Sequence, residues 1–359
     1  MFDELLKTHH ITTIKQLDQV SPSVLRQTLQ TQHIPSWGLR HNSHTDFDAY
    51  LEQGSLITDI SYHWPSAGLA CLMHKHIVLA LKRYESAVSV FPEVLNAVSE
   101  NDALIASLSA EGLKTNNEQY SPLTHSQTSD GDWQLTGTKT PATLCNIADY
   151  YLCVSVDASS VTDDSTAAIK QGMAVIPDGP TLSRNNDIWQ LEVFNASDTQ
   201  AICFDNTIIP FDHIVTDEIL LDMLLHLALG SFEYMTMCAY LGIASRLADN
   251  ITHTYKPWSD LQFAIARITM FRQAQLPVIA EQSFQADTNK LARDFVQSSR
   301  YFLERLIDEL VLATQKHMSA NLLVSNPDYQ HLINTVNMLR YHPRSEKKYT
   351  RRFLPKFDH

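Results

Sequence analysis

The segment of residues 130–153 places the strongest constraint on the fold of this chain. It reads DGDWQLTGTKTPATLCNIADYYLC. Asp130-Gly131 precedes an alternating apolar and polar run, and this combination predicts a tight hairpin turn. We expect one strand over residues 133–136 and a second over the apolar and aromatic residues 147–154. The polar connection between these strands is where a functional site is expected, because connecting segments on a rigid scaffold frequently carry function.

The rest of the chain divides into segments with different hydrophobic patterns. Apolar side chains recur at helical spacing near both ends, whereas short apolar runs between turn residues fill the middle. The predicted helices cover residues 1–7, 21–30, 54–62, 66–83, 91–98, 219–254, 261–287 (interrupted near Pro277), 289–318 and 329–340. The predicted strands cover residues 103–108, 133–136, 148–156, 173–177, 188–194 and 200–204. The sequence therefore predicts an α+β multidomain protein, with an N-terminal helical domain (1–104), a middle β-barrel or β-sandwich domain (105–217) and a C-terminal helical bundle (218–359).

Composition argues against several classes of protein. The net charge is −13, which does not favour a surface that follows nucleic-acid phosphates. The five cysteines are an odd number without a C-x-x-C pair, as expected for buried thiols in a reducing cytoplasm. The N-terminus lacks the apolar core of a signal peptide, and the longest apolar run, 219–230, is too short to span a bilayer. We expect a soluble cytoplasmic protein that binds neither nucleic acid nor membranes.

Two common chemistries have no motif here. The ten glycines include no G-x-G spacing, which excludes a Rossmann fingerprint and a P-loop. The pairs His41/His44 and His74/His76 join no carboxylate or cysteine cluster. We expect them to be scattered surface histidines and predict no metal site.

The residues of the 130–153 segment resemble the middle β-domain of the acyl-CoA dehydrogenase superfamily. The matching positions, in register, are Asp130, Gly131, Trp133, Leu135, Gly137, Lys139, Thr143, Ala148 and Asp149. Two further motifs agree: Phe204, Asp205, Ile209 and Pro210 in the strand that ends that domain, and Leu241-Gly242-Ile243-Ala244 in the following helix. The resemblance implies a C-terminal four-helix bundle, assembly into homodimers or homotetramers, and a flavin cofactor, with FAD as the first expectation.

The same resemblance implies roles for four residues. Thr143 and Ser109 match hydroxyl residues that contact the flavin ring, and Gln262 stands where the family has a cofactor-contacting glutamine. The alternative is that both hydroxyls cap ordinary turns. Glu233 is the candidate catalytic base, although it stands one residue, or about 100° of helix rotation, from the expected spacing. The alternative for Glu233 is an acidic residue on a solvated helix edge.

Departures from the family pattern limit these expectations. The G-S-D segment is replaced by residues 113–117, and the R-x-x-F-G loop, the late G-G-x-G turn and the E-G-T base segment are missing. These losses weaken FAD binding and leave FMN, or no flavin, open. We expect a flavin-dependent oxidoreductase acting on an acyl-CoA or related small substrate. The alternatives are a flavin-dependent monooxygenase of the same fold and a non-catalytic relative without cofactor.

Overall fold

A computed structural model describes residues 3–8, 10–39, 46–109, 122–161, 170–254 and 259–341. Within the described part of residues 1–104, the regular elements are helices. They are α1 (Asp3–Thr8), α2 (Ile14–Leu17), α3 (Pro22–Thr31), α4 (Asp46–His63), α5 (Pro65–Arg83) and α6 (Val90–Asn101). The helix α3 begins after Ser21 with a proline in its first turn, where the missing N–H costs nothing. This block confirms the predicted N-terminal helices.

In the described residues that follow, eight strands form one mixed sheet. They are β1 (Ile105–Leu108), β2 (Thr124–Gln127), β3 (Trp133–Ala142), β4 (Tyr150–Asp157), β5 (Gln171–Pro177), β6 (Leu182–Asn185), β7 (Gln200–Ile209) and β8 (Ile214–Val215). Their order is β6-β7-β3-β2-β4-β5-β8, and β1 pairs in parallel with β4. The α+β class is confirmed. The domain boundaries at residues 104 and 217 stay predictions.

The turn at Asp130-Gly131 is a hairpin turn, as predicted. It joins β2 to β3, whose register pairs Gln127 with Trp133, and Gly131 has φ +95°, a conformation that favours glycine. The strand β3 is longer than predicted and reaches Ala142. It does not pair with β4, because β2 lies between them.

The predicted strand over residues 188–194 is wrong. Trp189 donates a hydrogen bond from its indole Nε1 to the carbonyl of Val193 at 2.7 Å, so this segment folds back on itself as a loop. Leu191 is exposed, whereas Val193 and Phe194 are buried. The strand in this region is β6, which the sequence pattern did not reveal.

In the described residues after β8, the regular elements are helices. The helices are α7 (Glu218–Thr254), α8 (Ser259–Met270), α9 (Leu276–Phe284), α10 (Lys290–His317), α11 (Ala320–Ser325) and α12 (Pro327–Val336). A π-helical turn, Phe271–Gln275, separates α8 from α9, and Pro277 lies in the first turn of α9. The predicted interruption near Pro277 is therefore confirmed.

The helix α7 is the centre of the helical part of the molecule. It packs against α4, α5, α9, α10 and α12. A Cβ added at Gly242 would lie 2.2 Å from the carbonyl oxygen of Thr58, so glycine is what allows α7 to approach α4 this closely. The glycine of the 241–244 motif therefore has a packing role.

By length and composition, α7 could cross a membrane over Glu218–His253, the one such helix in the part of the chain that the structure describes. The helix is much longer than the apolar run 219–230 considered above. Its contacts with five other helices are also typical of a core helix in a globular protein.

A buried carboxylate, that of Asp18, connects distant parts of the chain. Its oxygens accept hydrogen bonds from the backbone N–H of Ser66 at 3.0 Å, from Nε2 of His331 at 2.9 Å and from the N–H of Phe194 at 3.4 Å. The Asp18 carbonyl also accepts from the N–H of Ala196 at 3.0 Å. The first helices, the strand-rich block and α12 therefore meet at one side chain.

Candidate functional site

The turn that follows β3 is fastened to the segment before β7. The backbone N–H of Leu144 donates to the carbonyl of Ser197, and that of Cys145 donates to the carbonyl of Asp198, both at 3.0 Å. Asn146 donates from its backbone and, at 2.7 Å, from its side-chain Nδ2 to the Asp198 carboxylate. Residues 143–147 and 194–199 thus form one unit, which we call the Thr143 clamp.

Three non-glycine residues of the Thr143 clamp have left-handed backbone conformations. They are Leu144 at φ +66°, Phe194 at φ +59° and Asp198 at φ +57°. Bulky side chains adopt this region rarely, and such residues concentrate at functional sites because the surrounding structure must hold them there. The clamp is therefore a candidate site on grounds independent of any sequence motif.

Three hydroxyl groups in the Thr143 clamp lie within hydrogen-bonding distance of one another in sequence. The Ser197 hydroxyl donates to the carbonyl of Phe194 at 2.7 Å and lies 3.2 Å from the Thr199 hydroxyl. The Thr199 hydroxyl lies 3.0 Å from that of Thr143. Ser197 is fully buried, and Thr143 keeps 7% of its surface exposed. We call these residues the hydroxyl chain.

The last residues of β3 add a polar atom without a partner. The β3–β7 register shifts between Lys139 and Ala142, so the ladder is irregular where Thr140 lies. Thr140 is fully buried, and its Oγ1 has no hydrogen-bond partner among the residues that the structure describes. A buried hydroxyl in that state costs free energy unless a ligand or water satisfies it.

Two arginines contact the turn, and both are paired with aspartates. Arg184 donates from Nε to the carbonyl of Cys145 at 2.9 Å and is paired with Asp178. Arg26 donates to the carbonyl of Ile147 at 3.0 Å and forms an ion pair with Asp149 at 2.6 Å. These cations therefore hold the fold of the turn.

The Asp198 carboxylate is the acidic group of the clamp. Burial raises its pKa, and its hydrogen bonds with Asn146 oppose that shift. The Asp198 carboxylate thus fixes the turn, although the burial of its negative charge costs free energy.

A second buried polar group lies where α5 meets β1 and α7. His76 on α5 donates from Nδ1 to the Leu72 carbonyl at 2.7 Å, and its Nε2 lies 3.1 Å from the hydroxyl of Ser107 on β1. The Phe232 ring of α7 lies edge-on to the imidazole at 5.3 Å between centroids. Burial lowers the pKa of His76 to about 4, so the ring is neutral at pH 7. Its Nε2 therefore accepts a hydrogen bond from the Ser107 hydroxyl.

The neighbouring His74 is also buried. Its Nε2 donates to the Pro35 carbonyl at 3.1 Å, and its Nδ1 accepts from the N–H of Ile105 at 3.0 Å. Burial lowers its pKa to about 3. The expectation that His74 and His76 are surface histidines is therefore wrong. Among the described residues, no group of three or more metal-ligating side chains could hold an ion.

Glu233 lies in the helical core. Its Oε2 is 2.6 Å from Nε of Arg300 on α10, and the two side chains are 2% and 0% exposed. The interpretation of Glu233 as a residue on a solvated edge is thus wrong. Phe232, one residue earlier, faces His76 instead, in keeping with the 100° rotation between successive helical residues. Whether Glu233 acts as a base stays a prediction.

The other two predicted cofactor residues are exposed and lie on separate elements. Ser109 directly follows β1, and Gln262 lies on α8, which packs against α10. Their contacts with a cofactor stay predictions. Residues 113–117 and the segment 255–258 lie outside the described residues. Ser197 and Thr199 carry no motif in the sequence, and their only signal is a polar stretch before the predicted strand 200–204.

Solved structures with the same arrangement of elements were found. FMN-bound TdsC from Paenibacillus sp. A11-2, a dibenzothiophene monooxygenase, superposes with a TM-score of 0.74 at 16% identity, over 97% of this chain and 94% of that one. A nitrososynthase from Micromonospora carbonacea var. africana gives 0.71 at 14% identity, over 91% and 87%. Butyryl-CoA dehydrogenase from Megasphaera elsdenii gives 0.67 at 12% identity, over 90% and 87%.

These likenesses show the fold. The chain has the acyl-CoA dehydrogenase-like fold, which dehydrogenases and flavin monooxygenases share. No protein-family model matches the sequence, and no curated protein sequence matches it.

Proposed function

We propose that this protein is a flavin-dependent oxidoreductase of the monooxygenase type, acting on a small organic substrate. The observation that carries the proposal is the Thr143 clamp. Its left-handed residues and hydroxyl chain hold Thr143 at the position where the family resemblance implies contact with a flavin ring.

The polar groups of this region suit a flavin ring. Thr140 supplies a buried hydroxyl that lacks a partner among the described residues, and Thr143 supplies a hydroxyl oxygen with spare hydrogen-bonding capacity. An isoalloxazine ring carries several donors and acceptors along its edge, so it can satisfy both. We infer that these two residues would hold the ring.

FMN is favoured over FAD. Arg26 and Arg184, which contact the turn, are already paired with aspartates, and this leaves them poorly placed to neutralise a second phosphate. The loop that would supply an arginine for a diphosphate is also missing from the sequence. TdsC, which shares the fold, was solved with FMN bound.

Monooxygenation is favoured over dehydrogenation because of Glu233. Removal of an α-proton requires an accessible carboxylate, whereas this one is committed to Arg300 in the core. If Thr140 and Thr143 hold a reduced flavin, it would supply the two electrons that allow one oxygen atom of O₂ to enter the substrate while the other leaves as water. The chain's task is then to position the ring and substrate and to exclude bulk water. The reduced flavin would come from a separate reductase.

We also propose that the protein forms homodimers or homotetramers. A groove of about 380 Å³ lies between α9 and α10 and is lined mainly by apolar side chains, among them Val278, Phe295 and Phe302. These three side chains are 40–47% exposed, which a second copy of the chain would relieve. Light scattering that reports a monomer would contradict this part of the proposal.

Flavin binding is the test of the function. We expect saturable fluorescence changes on titration with FMN, and weaker ones with FAD. Thr143→Val should weaken FMN binding about fivefold, since one hydrogen bond contributes about 1 kcal/mol. Thr207→Val is the control, because Thr207 is a buried residue of β7 eight positions after Thr199, and its hydroxyl has no partner among the described residues.

The alternative is a relative of this fold that uses no cofactor. Direct packing of the strand-rich block on α7 supports it, since the rings of Phe194 and Tyr240 meet edge-on at 6.2 Å between centroids. Absence of saturable binding of FMN and FAD, in both the oxidised and the reduced state, would favour this alternative and overturn the proposed function.

A further inference from the structure

Large apolar side chains are exposed where β3 begins and β7 ends. The indole Nε1 of Trp133 donates to the carbonyl of Phe211 at 3.0 Å, and Gln134, the next residue of β3, pairs with Ile208 of β7. Phe211 is 63% exposed and Ile208 is 52% exposed, whereas Trp133 is half-buried. We call Trp133, Ile208 and Phe211 the Phe211 patch. An apolar cluster on an otherwise polar surface is typical of an interaction site.

Negative charge accompanies the Phe211 patch. Asp132, Asp205 and Asp212 lie within three residues of the patch along the chain. The carboxylate of Asp212 accepts a hydrogen bond from the Ser89 hydroxyl, and that of Asp205 accepts one from the Asn206 side chain, both at 2.9 Å. Both donors are neutral, so they do not compensate the charge of these carboxylates. The surface therefore favours a partner that is both apolar and basic.

The end of this chain has that composition. The C-terminal tail, residues 342–359, lies outside the described residues. It contains six lysines and arginines and two acidic residues, a net charge of +4 within a total of −13, so the rest of the chain carries −17. Phe353, Leu354 and Phe357 stand among these cations. The charge and the apolar side chains of the tail thus complement those of the Phe211 patch and its aspartates.

The tail is long enough to reach the patch of its own chain. It begins three residues after Leu339, whose carbonyl accepts a hydrogen bond from Arg300 at 3.2 Å. Because Arg300 also pairs with Glu233, the tail begins near the middle of α7. The start of α7 at Glu218 is then about 22 Å away, and Phe211 lies at most about 25 Å further along the chain. Eighteen extended residues span up to about 60 Å, which exceeds this distance.

We propose that the Phe211 patch binds the C-terminal tail of the same chain. The apolar side chains of the tail pack on Phe211 and Ile208, and its cations lie beside the three aspartates. Covalent attachment gives the tail a local concentration on the order of millimolar, so a modest intrinsic affinity is sufficient. The Phe211 patch shares no residue with the Thr143 clamp, so this docking is independent of the proposed flavin function.

The test is zero-length cross-linking of the full chain with a carbodiimide, which joins a lysine to a carboxylate only where the two are in contact. We expect links from Lys347, Lys348 or Lys356 to the three aspartates, identified by mass spectrometry. In 1 M salt the Debye length falls to about 3 Å, and the yield of these links should fall about fivefold.

The substitution Phe211→Ala tests the apolar contact and leaves every cross-linking group in place. It should lower the yield about fivefold, because the docked state loses the burial of an aromatic ring. Phe263→Ala is the matched control, because Phe263 on α8 is 65% exposed, close to the value for Phe211. Both side chains lie on the surface, so both variants should fold.

Mixed chains labelled with light and heavy nitrogen identify the origin of each link. Links that join a light chain to a heavy chain would assign the tail to a second copy and overturn docking within one chain. Absence of links between the tail and the three aspartates would also overturn the proposal, as would equal yields in Phe211→Ala and Phe263→Ala.

Discussion

The substitution Glu233→Gln tests whether the Glu233 carboxylate has a structural or a catalytic role. The substitution keeps the shape of the side chain and removes its charge. It leaves the Arg300 guanidinium, which is fully buried, without the carboxylate that lies 2.6 Å from its Nε. Removing one partner of a buried ion pair costs about 3–5 kcal/mol, mainly because the remaining charge is poorly compensated in the core. We expect a loss of this size in the free energy of unfolding.

The assay is urea unfolding followed by circular dichroism. Glu309→Gln is the matched control, because Glu309 pairs with Arg267 and these side chains are 45% and 33% exposed. Exposed pairs contribute about 0–1 kcal/mol, so this control should unfold close to the wild type.

The double variant Glu233→Leu/Arg300→Met provides a second test of the buried ion pair. It removes both charges, and it should therefore be less destabilised than Glu233→Gln. The reasoning is refuted if Glu233→Gln unfolds within about 1 kcal/mol of the wild type, or if it costs no more than Glu309→Gln. A stable variant that has lost turnover would identify Glu233 as the base.

Two further predictions concern stability. Gly242→Ala places a methyl group against the backbone of α4 and should lower the free energy of unfolding by about 1–3 kcal/mol. Gly179→Ala is the control, because open space surrounds its Cβ, and it should change the free energy of unfolding little. Equal effects of the two substitutions in chemical unfolding would contradict the close approach of α4 and α7. His74 and His76 have pKa values lowered to about 3 and about 4, so only the unfolded state takes up their protons as pH falls below 6.5. The free energy of unfolding should therefore fall as the pH is lowered from 6.5 to about 4, with each histidine contributing up to about 1.4 kcal/mol per pH unit. In His76→Gln, the dependence of this free energy on pH should be weaker. An unchanged dependence would argue against buried neutral rings.

Local signals in the sequence predicted much of the fold. The Asp130-Gly131 turn and the break at Pro277 depend on backbone preferences that act within a few residues, and both were located correctly. The strand predicted over residues 188–194 failed because its alternating pattern is also compatible with a loop. A local hydrogen bond from Trp189 to Val193 and the burial of Phe194 decided between these structures.

The candidate site was less accessible to sequence reasoning. Thr143 was identified only through the family resemblance, and its partner Thr199 lies 56 residues further along the chain. The Glu233–Arg300 pair joins two helices without any spacing rule. Contacts of this kind follow from the packed structure, and a single sequence carries no local pattern for them.

The position of Asp18 has a consequence for synthesis on the ribosome. Its carboxylate is buried against His331, which emerges 313 residues later, and it also needs the N–H groups of Ser66 and Phe194. The N-terminal helices cannot complete their packing while the later partners are still untranslated. We therefore expect the nascent chain to stay incompletely docked, and exposed to chaperones and proteases, until α12 has left the exit tunnel.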